Sequence, residues 1–175
     1  MIVAAAIAIT AAGCGGSQGG GTHGSGGGGG IGIGGAAGDG GAGGAGCSMI
    51  DNVGQTVTRE QASGDPPMPL GGAIADGTYV LTKDEAYPPI SVDMPTHKRE
   101  TLQISGTQLL AVIESDAMPD PFQGAGTLTT SDALVTINWV CGASGSFDQD
   151  YTATATQLIL MSVSPPGSVS TFTKQ

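Results

Sequence analysis

Few side chains in this sequence could do chemistry, and their spacing narrows what that chemistry is. Carboxylates gather at Glu114, Asp116 and Asp120, and again at Asp148 and Asp150. Paired acids serve glycoside hydrolysis or hold calcium, but the alternating ligands of an EF-hand loop are missing here. Acids bounding strands also simply solvate a surface, and that is the simpler reading. Past Cys47 the sole histidine is His97, in Pro95-Thr-His-Lys-Arg-Glu100, which reads as a charged loop leading into a strand. A solvated loop residue explains it more economically than a catalytic base. Ser144 and Ser146, in Gly142-Ala-Ser-Gly-Ser146, suit a turn, where Gly and Ser accept unusual backbone angles. No CxxC or HxxxH spacing is present, so no metal site is expected. The expectation is a protein that is not an enzyme and carries no catalytic residue and no cofactor.

The cysteines say more. Met1 to Ala12 is an apolar and small-residue run ending in Ala11-Ala12-Gly13-Cys14. As a helix it would span roughly 18 Å, short of the ~30 Å hydrocarbon core of a bilayer. It fits the apolar region of a signal peptide instead. The four residues Ala11-Ala12-Gly13-Cys14 resemble the lipobox of bacterial lipoproteins. That resemblance implies a signal peptide over residues 1–13, cleavage before Cys14 and a lipid on its sulfur. Several acyl chains make membrane attachment nearly permanent where one holds only marginally. Gly15 is not the Asp that acts as an inner-membrane retention signal in some bacteria, so the resemblance points to the outer membrane of the cell envelope. With Cys14 lipidated, Cys47 and Cys141 remain, and in an oxidising envelope they could close a disulfide across a long loop. The alternative is one buried thiol and one exposed.

Composition explains the layout. Charged residues make up 11% of the chain, against the roughly 25% typical of soluble domains. Of 32 glycines, 20 fall between Gly15 and Gly46. That stretch has no aromatic residue and no apolar face, so it cannot bury enough surface to offset chain entropy. Residues 14–46 therefore read as a lipidated Cys followed by a disordered Gly-rich linker, with a reach of roughly 30 Å. Its matches to GxGxxG (Gly30 to Gly35) and GxSxG (Gly15 to Gly19) lack the strand-turn-helix setting that gives those patterns meaning. The formal net charge of −10 argues against a nucleic-acid partner, whose phosphates an acidic surface repels.

Residues 47–175 hold the elements that must position any site. Short apolar alternations separated by Gly, Asp, Ser and Pro predict strands near Thr78 to Leu81, Thr101 to Ile104, Leu109 to Ile113 and Gly126 to Thr130. Four more are predicted near Leu134 to Val140, Phe147 to Ala153, Leu158 to Val163 and Val169 to Lys174. A weak repeat, Ile104-Ser-Gly-Thr-Gln-Leu109 and Ala153-Thr-Ala-Thr-Gln-Leu158, with a variant at Leu128 to Leu134, marks hairpins. Hairpins in series make an antiparallel meander, and about eight strands close into a barrel without exposed edges. With its short Thr-rich repeats and its Thr171-Phe-Thr-Lys-Gln175 segment, the domain resembles the small lipocalin-like β-barrels of bacterial lipoproteins. Residues 47–70, Pro-rich at Asp65-Pro-Pro-Met-Pro-Leu70, predict an irregular arm with a short helical turn near Arg59-Glu60-Gln61. Trp139 shares strand parity with Val135, Ile137 and Cys141 and is expected to anchor the core beside the disulfide. Tyr79, Tyr151 and Phe172 read as core residues too. The expected function is a membrane-anchored envelope lipoprotein with a non-catalytic binding or interaction domain. Its partner would be a small apolar ligand or an envelope protein; a hydrolase inhibitor and an envelope hydrolase are the alternatives.

Overall fold

β-branched and aromatic residues crowd a helix but suit a pleated surface, and the alternating segments all become strands. The computed structural model describes residues 50–163 and 166–175. The leader, Cys14, the Gly-rich stretch and Cys47 lie outside those residues, and so do the expectations placed on them. The nine strands are β1 (Val57–Gln61), β2 (Gly77–Ala86), β3 (His97–Ser105), β4 (Gln108–Ser115), β5 (Phe122–Ser131), β6 (Leu134–Cys141), β7 (Gly145–Ala153), β8 (Gln157–Val163) and β9 (Pro166–Lys174). No helix occurs among the described residues.

From β2 to β9 each strand pairs antiparallel with the next, and β2 also pairs antiparallel with β9, from Tyr79 opposite Lys174 to Ala86 opposite Ser168. Eight strands therefore form a ring of hydrogen-bonded neighbours, so neither β2 nor β9 is a free edge. The repeats do what hairpins require: Ser105 pairs with Gln108, Ser131 with Leu134 and Ala153 with Leu158. Asp132 takes φ 53° at the middle turn, a conformation Asp tolerates better than most residues.

β1 corrects the expected arm. Arg59, Glu60 and Gln61 form a strand rather than a helical turn, and the sheet has nine strands rather than eight. The pairing of β2 with β3 stops at Val80 and Thr101. Beyond that point β1 occupies the gap. It runs parallel to β2, with Arg59 opposite Asp84 and Gln61 opposite Ala86, and antiparallel to β3, with Val57 opposite Lys98. The sheet is consequently mixed rather than a pure antiparallel meander. A register shift between Leu81 and Lys83 re-phases β2 just where β1 enters, so Asp84 and Ala86 take the inward positions.

One face of the strands builds the core: Tyr79, Leu81, Leu102, Ile104, Leu109, Leu128, Val135, Tyr151, Leu158 and Phe172 are all buried together. The chain before β1 is strapped to the outer face. Val53 N and Gly54 N donate to Thr101 Oγ1 at 3.1 and 3.2 Å, and that hydroxyl donates to Asn52 Oδ1 at 2.9 Å. Arg99 adds bonds to the carbonyls of Asn52 and Gly54 at 2.8 and 3.0 Å.

Candidate functional site

In an antiparallel ring the connections alternate between two ends. The turns at 105–108, 131–134 and 153–157 lie at one end, and the loops at 87–96, 116–121 and 142–144 lie at the other. The first end is closed. Residues 70–76 cross it, held by Gly71 N to Tyr151 O and Ala153 N to Gly71 O, both at 2.8 Å. Tyr79 and Tyr151 rise from the core to give their hydroxyls to Ala75 O at 2.6 Å and Gly72 O at 2.8 Å. Gly71 has φ +66°, and a side chain there would collide with the Asp132 carbonyl, so only glycine fits this crossing.

The loop end differs in its interior. The face of β3 that carries Ile104 and Leu102 inward also carries Glu100 and Lys98 inward. Asp84 joins them from β2 and Arg59 from β1. Lys98 Nζ lies 2.7 Å from Glu100 Oε2, Ser170 Oγ donates to Asp84 Oδ1 at 3.3 Å, and Arg59 Nη2 donates past β2 to Ser168 Oγ of β9 at 2.7 Å. Asp84 is 4% exposed and Glu100 7%. Burial pulls the Lys98 ammonium toward its neutral form, but the carboxylates of Glu100 and Asp84 more than offset this against the opposing charge of Arg59. Its pKa therefore ends above the ordinary 10.5. Two cations and two anions balance in formal charge: Lys98 pairs with Glu100, while Arg59 and Asp84 bond to the β9 serines Ser168 and Ser170, and Arg59 Nε is buried without a hydrogen-bond partner among the described residues. Sequence reading missed this cluster, although strand parity carries the signal: Lys98, Glu100, Leu102 and Ile104 share one face.

On the neighbouring wall Phe122 and Trp139 meet edge to face, with centroids 5.3 Å apart at 84°. Gly124 makes room for them, since a Cβ there would come within 2.6 Å of Phe122 and 2.7 Å of Trp139. Trp139 is partly buried and packs against the core, while Tyr79, Tyr151 and Phe172 lie fully within it. Cys141 corrects the expected parity: a register shift after Trp139 sets Trp139 opposite Gly126 but Cys141 opposite Ala125, so the two side chains leave β6 on different faces; its expected partner Cys47 lies outside the described residues.

The predicted carboxylates separate into two groups. Glu114 pairs with Arg99 at 3.1 Å, and Asp116 accepts the His97 backbone N–H at 3.0 and 3.1 Å, which brings Glu114, Asp116 and His97 around a shallow groove of about 210 Å³. His97 is the first residue of β3 rather than part of a loop, because β1 pairs with it; its Nδ1 sits 3.1 Å from Thr58 Oγ1. Asp148 and Asp150 stand apart on β7, and Asp148 accepts a bond from Thr136 Oγ1 at 2.6 Å. Asp120 is exposed in the 116–121 loop, Ser144 is exposed in its turn, and Ser146 Oγ donates to Asn138 Oδ1 at 2.5 Å. A wider groove of about 520 Å³ lies between the chain leading into β1 and the irregular stretch of β2. Among the described residues no three His, Cys, Asp or Glu side chains converge as a metal site. Comparison with known protein families, curated proteins and solved structures gave no match, so the loop end of the ring is read from its own geometry.

Proposed function

We propose that this chain is an envelope lipoprotein whose ring is a small lipocalin-like β-barrel serving as a non-catalytic interaction module. The anchor is a lipid on Cys14, the tether is the Gly-rich stretch, and the site of action is the outer membrane. One observation carries the choice of an interaction module over a carrier of small apolar molecules: the ring interior is occupied by its own side chains. Tyr79, Phe172, Leu81, Leu109, Leu158 and Val135 are fully buried, and the charged cluster fills positions beyond them. A carrier needs an apolar cavity, whereas a filled barrel leaves recognition to its surface. The two grooves beside β1 are bordered mainly by polar and charged side chains, which favours the same reading. A disulfide from Cys47 to Cys141 belongs to this proposal, since it ties the end of the tether to β6.

Native mass spectrometry of the purified protein tests the module: the expected spectrum is that of the bare chain, and a co-purifying small apolar molecule would overturn it. Labelled palmitate with globomycin tests the anchor, with label on the chain and stalled processing expected. Non-reducing mass spectrometry tests the bridge, which two free thiols would exclude. Inhibition of a hydrolase through the protruding loops is the second reading, favoured by the placement of 87–96 and 116–121 at one end.

A further inference from the structure

We propose that the loop end of the ring is a docking surface for a cationic protein segment with an apolar face. Five of the eight large apolar side chains left exposed among the described residues lie there: Met94, Met118, Val140, Phe147 and Val163. They come from loops 87–96 and 116–121 and from the ends of β6, β7 and β8. Met94 is 78% exposed, although a methionine side chain readily folds back onto apolar surface. The five border one end of the ring from separate connections, and exposed apolar side chains concentrated at one end favour contact with a partner over residues scattered singly.

Charge selects the partner. Loops 87–96 and 116–121 carry Asp93, Asp116 and Asp120 and contain no Lys or Arg. The nearby cations Lys83, Lys98 and Arg99 are already paired with Glu85 at 2.8 Å, Glu100 at 2.7 Å and Glu114 at 3.1 Å, and Arg59 is turned to Ser168 with its Nε buried. An anionic bilayer would be repelled, and so would the same end of a second copy. A segment with Lys or Arg flanking apolar residues complements both properties, with the thioethers giving adaptable contact and the carboxylates steering approach.

The inference rests on the interaction-module reading and locates its surface. A short amphipathic Lys/Leu peptide is titrated into the full chain, with its Glu/Leu counterpart and zwitterionic vesicles as comparisons. The expected result is saturable binding of the Lys/Leu peptide alone, with amide shifts confined to the loop end. M94S/M118S should weaken it about tenfold. D93N/D120N should weaken it several-fold, mainly through association rate. L70S/D132N, at the closed end, should leave it within about twofold. Equal losses in both sets of variants, no binding, or preference for the vesicles overturns the proposal. Saturable binding mapped to another surface overturns the placement but leaves the interaction module standing; a small molecule found inside the ring removes both.

Discussion

At the closed end of the ring, short turns enclose an interior of apolar side chains, and the hydroxyls of Tyr79 and Tyr151 both bond to the crossing segment. At the loop end, where 87–96 and 116–121 are longer, the interior beside β1 holds two cations and two anions. On the β1–β3 side the interior thus passes from hydrocarbon to ionic along the strands, while the β5–β6 side stays apolar with Phe122 and Trp139. The transition falls where β2 and β3 separate and β1 enters. Apolar burial supplies stability without direction, whereas paired charges demand a particular register. The closed end is accordingly expected to hold the fold together, and the charged cluster to specify how β1 is seated, with Arg59 reaching Ser168 on β9.

The contrast makes measurable demands. The largest effect belongs to the closed end: Phe172→Ala, at a side chain only 1% exposed, should cost about 3–5 kcal/mol in urea unfolding. If Phe147→Ala, at the loop end, costs as much, the division of labour fails. Next comes the cluster. Glu100→Gln leaves Lys98 without its closest counter-charge and should cost about 3 kcal/mol, while the double change K98M/E100L should recover most of that loss. A double variant as unstable as the single one would mean that the charges stabilise rather than specify.

The same groups set a pH window. Lys98 has its folded pKa raised above 10.5, by the balance of burial, Glu100 and Asp84 described above. Tyr79 is raised above 10.0, chiefly by burial and despite the bond to Ala75. Both groups hold their protons more tightly folded than unfolded, so their contribution is complete below the unfolded values and lost as pH rises through the folded ones. Stability should therefore decline above about pH 10. K98M should flatten part of that decline and Tyr79→Phe another part; an unchanged profile in both would remove these assignments.

Smaller again, Tyr151→Phe removes the bond to Gly72 O and should cost about 1 kcal/mol. It should also speed hydrogen exchange at Gly71 N before that of the strands. The smallest effect sharpens the comparison most: M94S/M118S should change stability by no more than about 0.5 kcal/mol, as expected of side chains kept for contact rather than for folding.

Much of this was readable from the residues. All eight alternating segments became strands, and the Ser-Gly-Thr-Gln and Thr-Ala-Thr-Gln turns joined the pairs they predicted. β1 was not readable, because Val57-Thr-Arg-Glu-Gln61 has one apolar residue and three good helix formers. Its strand state comes from the gap it fills, a tertiary property absent from local pattern. The charged end of β2, Lys83-Asp-Glu85, was missed because the irregularity after Leu81 breaks the alternation. The cluster was overlooked for a simpler reason: inward positions were sought among apolar residues, although Glu100 and Lys98 continue the phase of Ile104 and Leu102.

The pairing of β2 with β9 has a consequence for how the chain folds. It joins segments separated by most of the described sequence, so it carries the greatest loop-closure cost of the ladder and is expected to close last. Until then the outer edges of β2 and β9 are open to pairing with other chains. Along β2 that edge carries Lys83, Asp84 and Glu85 in succession, charges that discourage such pairing in a half-folded chain. Asp84, which belongs to the charged cluster of the finished ring, is therefore expected to act with Lys83 and Glu85 against aggregation while the ring is still open.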